Sequence, residues 1–152
     1  MGWSTLLESH DFDDWQRRVG HLLGPHDSRI QDGLAHRRFR QRIRAAAVGP
    51  VALVAFEGGG SFLLERIQPA DRAVLWLPTQ GVIQETVERD TLVPEPGMAL
   101  WIRPGTALRG SINGACSGLS IILPLTLLQL DQNQPWCADA GAGPMLLNPF
   151  GR

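Results

Sequence analysis

The chain has 152 residues, 43% of them apolar, and a formal net charge of −1 from 14 basic and 15 acidic side chains. That length supports one domain with a substantial core and excludes two of ordinary size. The balanced charge excludes the global basic field that draws a protein onto nucleic acid or anionic lipid.

Residues 1–15, MGWSTLLESHDFDDW, lack the positive start and apolar run of a signal peptide, and no apolar stretch approaches the roughly 18 residues needed to span a bilayer. A soluble, cytoplasmic protein with no membrane partner is predicted. Residues 11–23 carry the clearest helix pattern. Asp11 or Asp13 caps the exposed amides, acidic residues crowd the first turn, and Gly24-Pro25 ends it. Phe12, Trp15, Val19 and Leu22 or Leu23 recur at three- and four-residue intervals, so one face docks on the rest of the domain.

From Leu34 to Arg44 the chain alternates. If extended, it places Arg38, Arg40, Arg42 and Arg44 on one face and Arg37, Phe39, Gln41 and Ile43 on the other. Such a row of guanidiniums is either the solvated face of an edge strand or an anion grip. Val48 to Phe56 reads as a buried strand and Glu57 to Ser61 as a glycine turn; no Gly-Lys-Ser/Thr follows, which rules out a phosphate-binding loop. Phe62 to Ile67 gives another strand, Pro69-Ala70-Asp71 a turn, and Ala73 to Leu77 a central strand that includes Trp76.

Gly81 and Gly97 bracket a strand, a turn at Glu88-Arg89-Asp90 and a second strand ending at Pro94-Glu95-Pro96-Gly97. Met98 to Arg103 is the next strand; Pro104-Gly105 and a further strand follow, and Gly118 to Leu123 is the last. Short strands that return every 8–12 residues are the rhythm of a jelly-roll barrel, here from about residue 34 to 123. Pro124 then suits the first turn of a helix over 124–131. Its Leu125, Leu127, Leu128 and Leu130 are too many for a lone solvated helix, so it buries against the barrel, a neighbouring subunit or both, and a homodimer through them is predicted. Residues 133–152, rich in glycine, alanine and proline, read as a linker or tail that follows a domain of residues 1–132.

All four histidines, His10, His21, His26 and His36, precede the main strands, so no imidazole metal site can be built inside the barrel, and no metal or other cofactor is predicted. Cys116 and Cys137 fit no paired metal-ligand spacing and read as free thiols. No Ser/His/Asp or Cys/His arrangement has usable spacing, so no catalytic residue is assigned. A binding barrel needs apolar walls with a few fixed polar groups, and Trp76, Gln84, Trp101 and Arg103 have the chemistry for ligand binding. An arginine beside an indole suits a carboxylate-bearing effector.

The order of elements resembles the N-terminal, ligand-binding-like domain of the AraC/XylS family of bacterial transcriptional regulators. The residues that carry the likeness are Phe12-Asp13-Asp14-Trp15-Gln16-Arg17-Arg18, Gly81 after a hydrophobic strand, Pro96-Gly97, the strand at 98–102, and Leu123-Pro124 before a helix. The resemblance implies a mainly β, cupin-like double-stranded β-helix with an N-terminal and a C-terminal helix. It also implies a non-catalytic role in which a small-molecule effector inside the barrel biases a dimer, and DNA is bound only through a helix-turn-helix domain absent from this chain. Arg103-Pro104-Gly105-Thr106-Ala107 departs from the family, which tends to carry an aspartate first and an arginine-proline pair at the end. The alternatives are a standalone cupin protein that acts as an interaction module, or a small-molecule enzyme.

Overall fold

The computed structural model describes residues 2–31, 33–128 and 145–147, and for residue 35 and the last three the backbone alone. In chain order the elements are β1 (Ser4–Ser9), α1 (Phe12–Leu23), β2 (His26–Ile30), α2 (Gly33–Arg38), β3 (Arg40–Val48), β4 (Val51–Gly59), β5 (Phe62–Ile67), β6 (Arg72–Val87), β7 (Asp90–Leu92), β8 (Ala99–Ile102), β9 (Ala107–Pro124), α3 (Leu125–Leu128) and β10 (Met145–Leu147). The chain is mainly β, and its strands form one antiparallel sheet curled into a half-barrel. No helix among the described residues is long and apolar enough to cross a membrane.

Two strands organise the sheet. β6 and β9 run antiparallel from Arg72↔Pro124 to Val87↔Leu108. At the outer edge of β9, Cys116 to Ile122 pair with β4 and Ala107 to Ile112 pair with β5. At the outer edge of β6, Val74 to Trp76 pair with β8 and Glu85 to Val87 with β7. The change of partner falls where the β6–β9 register shifts twice, between Pro78 and Val82. Bulges of this kind bend a strand and increase its twist. Gly81 stands in the bend at φ +82°, where a Cβ would collide with the Ala115 carbonyl oxygen of β9. Only glycine meets both conditions.

The helix over 11–23 forms as its sequence indicates. The Asp11 carboxylate accepts from the Asp14 amide at 2.8 Å, and the Gly24 amide closes the far end on the Gly20 carbonyl. Phe12, Trp15 and Val19 are buried. The rings of Phe12, Trp15, Phe39 and Phe62 form one cluster, with Trp15–Phe62 at 5.0 Å and Phe12–Phe39 at 5.3 Å between centroids. This cluster fastens α1 to β5, and removal of any of its rings is worth on the order of 3–5 kcal/mol.

Several expected elements change. The stretch from 34 to 38 is helical, and the alternation begins only at Arg40. From there Gln41 and Ile43 point inward, while Arg40 and Arg42 are exposed and Arg44 is half-buried. Arg42 lies between Glu8 at 3.7 Å and Glu57 at 3.6 Å, and Arg44 sits over the Trp3 ring. Carboxylates therefore offset part of the arginine row, as on a solvated strand face. The predicted strand at 48–56 is cut by a turn at 49–50, and the strands at 73–77 and after Gly81 are one continuous β6. β1 and β2 had no strand signal because their inward faces are nearly bare: Leu7 is the single apolar side chain of β1 that is buried. The C-terminal helix is a single turn, α3, and Pro124 closes β9 rather than opening the helix; 129–131, with Leu130, lie outside the described residues. The proposed tail likewise lies outside them except at Met145–Leu147, whose backbone pairs with β8.

Gly81→Ala is expected to lower stability by about 2 kcal/mol or more, since it adds both left-handed strain and a backbone collision; urea unfolding followed by tryptophan fluorescence measures this.

Candidate functional site: an apolar cavity with an inward-facing arginine and glutamate

Because β6 and β9 bend together, the two halves of the sheet enclose a cavity of about 240 Å³. Phe56 and Val74 come from one half and Phe62, Ile83 and Ile112 from the other, and Leu6 and Leu22, more than 40% exposed, stand at its rim. Trp76 lines it too. Its indole stacks on Phe56, with ring centroids 5.0 Å apart and planes at 18°. The ring occupies the space over Gly118, where any Cβ would overlap it. The indole Nε1 is buried with no partner, as are Trp15 Nε1 and Gln41 Nε2, and all three residues line the cavity. An unpaired buried donor costs on the order of 1–3 kcal/mol.

Two opposite charges face the same space. Strand alternation turns Phe62, Leu64 and Arg66 of β5 inward, and Ile83, Glu85 and Val87 of β6 likewise. Leu64, Gly110 and Glu85 lie side by side across three strands, with Arg66 one inward position further along β5. Gly110 makes room for the carboxyl: a Cβ there would stand 3.3 Å and 3.4 Å from the two Glu85 oxygens. Arg66 Nη1 donates to Gln68 Oε1 at 2.7 Å. Gln68 is held in turn, since its Nε2 donates to the Arg72 carbonyl and its amide to that of Thr106. Glu85 accepts no hydrogen bond and joins no ion pair among the described residues.

Burial pushes the Glu85 carboxyl up to about 7, with the Arg66 charge opposing the rise. The same desolvation pulls the Arg66 guanidinium down, and Glu85 offsets part of it. No histidine or cysteine among the described residues lines the cavity. Among the described residues no group of three or more His, Cys, Asp or Glu is placed to hold a metal ion. A second, polar cleft on the outside runs between Glu8, His10, Arg40 and Glu57 and reaches Cys116. Burial pushes that thiol up to about 11, far from thiolate chemistry at neutral pH.

Of the four residues expected in a pocket, the structure puts Trp76 on the cavity wall and the other three elsewhere. Gln84 is exposed, because its neighbours Ile83 and Glu85 take the inward positions. Trp101 stands between the buried Leu100 and Ile102 and therefore points to the other side of β8. Arg103 lies past the end of β8, 3.5 Å from Glu88. Arg66 and Gln68 escaped notice in the sequence, and Glu85 beside a turn at Glu88 was not read as a cavity group. A signal existed for Glu85, flanked two residues away on each side by the apolar Ile83 and Val87.

Between about pH 4.5 and 7 the folded chain holds the Glu85 proton and the unfolded chain releases it. Raising the pH through that window therefore destabilises the fold, by on the order of 3 kcal/mol. In Glu85→Gln this dependence is expected to vanish, so the stability difference between wild type and variant, from urea unfolding at pH 5 and pH 8, shifts in favour of the variant at pH 8.

The chain matches the AraC-binding-like domain family over residues 15–143. Among solved structures it is similar to the AraC-like transcriptional activator CuxR, with 21% identity and a TM-score of 0.69 over 86% of this chain and 49% of that one. It thus spans about half that activator's length. More distant likenesses are KdgF from Halomonas sp., at 13% identity and TM-score 0.49 over 64% of this chain and 86% of that one, and a cupin-2 domain from Rhodospirillum rubrum, at 15% and 0.47 over 70% and 82%. No curated protein matches. With the bent pair β6 and β9 and all but the first three residues of α1 inside the matched span, the chain belongs to the AraC-binding-like domain family.

Proposed function

We propose that this chain is the effector-binding and dimerisation domain of an AraC-like transcriptional regulator, a non-catalytic, cupin-like jelly roll that acts in the cytoplasm. The observation that carries this reading is the cavity: apolar walls, an arginine fixed by Gln68, and buried donors that find no partner among the described residues. Such a composition suits a small guest whose acceptors satisfy those donors. The family match and the fold shared with a transcriptional activator support a regulatory use. In this reading DNA is contacted through a separate helix-turn-helix domain beyond the sequence in hand.

In this reading the effector acts on α1, which lines the cavity. Trp15, Val19, Leu22 and Leu23 line it from one side while the helix packs on β1 and β2. An effector that touches this helix binds two arrangements with different affinity, and that difference alone sets how far it shifts their populations. Leu125, Leu127 and Leu128 are each partly buried on α3, directly after the strand that lines the cavity, and form the dimer contact in this proposal together with Leu130.

Toluene is a suitable first probe, because it matches the apolar walls and sits within reach of the Phe56–Trp76 stack. It is expected to change tryptophan fluorescence saturably in the wild type and to lose the effect in Leu108→Trp, which fills the cavity; a wild type that shows no saturable change with toluene or with a polar probe of the same ring size overturns the binding reading. Sedimentation equilibrium at high micromolar concentration tests the dimer. A dimer that becomes a monomer in Leu127→Asp, with unchanged circular dichroism, is expected, and a monomeric wild type sinks that part.

A further inference from the structure

Arg66 and Glu85 define the guest more narrowly than a lone arginine does. The two groups face the same cavity from adjacent inward positions and attract one another, yet among the described residues Glu85 closes no ion pair. One N–H of Arg66 is committed to Gln68, which leaves the remaining donors of the guanidinium for a guest. Glu85 offers unoccupied carboxyl oxygens over Gly110. Arg72, the other cation that lines the cavity, is held by Asp71 through two contacts of 2.8 Å. The space therefore presents donors and acceptors side by side, in walls that are otherwise mostly apolar.

Three kinds of guest fit poorly. Above about pH 7, where Glu85 is ionised, a carboxylate satisfies Arg66 but brings a second anion beside that glutamate in a medium that screens charge weakly. An ammonium does the reverse, satisfying Glu85 at the expense of Arg66. A polyol has more hydroxyls than the walls have polar partners, and each one left unpaired is penalised. What remains is a molecule with no net charge that accepts from Arg66 and donates to Glu85 at one end. Its body is apolar and flat enough to lie along the Phe56–Trp76 stack. At about 240 Å³ the cavity has room for it, given that a cavity of about 150 Å³ is known to take benzene.

We propose that the cavity selects a small uncharged molecule with a flat apolar body and an amide-type edge, in which an acceptor for Arg66 and a donor for Glu85 stand side by side. This rests on the cavity being a binding site. It replaces the carboxylate-bearing effector expected from Arg103 beside Trp101, because the arginine that reaches the cavity has a glutamate for a neighbour.

The test titrates the full chain at pH 8 with three probes of one ring size, benzamide, benzoate and toluene, followed by tryptophan fluorescence and calorimetry. Benzamide is expected to bind at least about tenfold more tightly than either of the others. In Glu85→Gln, benzoate is expected to gain and the preference for benzamide over it to disappear. Should that variant fail to fold, the wild-type ranking decides alone. If benzoate matches or exceeds benzamide, or toluene matches it, the proposed class falls while the cavity stands as a binding site. If none of the three binds, toluene included, the binding reading falls with it.

Discussion

The antiparallel pairing of β6 with β9 is the constraint on which the rest of this molecule depends. Strands of 16 and 18 residues run beside one another and bend at the same place. Had they stayed straight, the sheet would present two flat faces and no interior. The bend requires a backbone without a side chain at Gly81, where the carbonyl of Ala115 comes too close for a Cβ. Once it is made, β4 and β8 on one side and β5 and β7 on the other are carried round to face each other. α1 then closes one side through the Phe12, Trp15, Phe39 and Phe62 rings.

The interior so formed is electrically unusual for a small domain. A typical core excludes ionisable groups unless they are paired, since desolvation costs several kcal/mol per ion. Here Arg66 is anchored by Gln68, and Glu85 rests in the gap that Gly110 leaves open. Gly118 gives up its side-chain volume in the same way to the indole of Trp76. Two glycines of β9 thus set aside space for the two most distinctive groups on the β6 wall. Local rules for a stable strand are broken at these positions, which is the pattern expected where binding rather than stability shaped a site. The family match covers both strands that supply these four residues.

Features governed by near neighbours in the chain were legible. α1 could be read residue by residue, because its cap at Asp11, its apolar spacing and its end at Gly24 are all local. β5 was equally clear between its glycine and proline borders. β1 and β2 were not, since each buries little of its own and is held by a distant partner, β3 and β5 respectively. Turn-like residues at 78–81 suggested a break where the chain only bulges. Pairing with β9 on the far side of that bulge keeps β6 continuous, and no local signal reports it.

The sequence alone determined that this chain is mainly β with an amphipathic helix near its start, and that its overall charge is near zero. Those conclusions rest on composition and on spacings within a few residues. Only the tertiary structure decided which polar residues face inward. Alternation assigns the residues of a strand to two faces without saying which is inside, and a bulge re-phases that assignment midway along β6. Glu85 rather than its neighbour Gln84 thereby ends on the inner side of the wall, and between it and Arg66 stands β9, distant in the sequence from both.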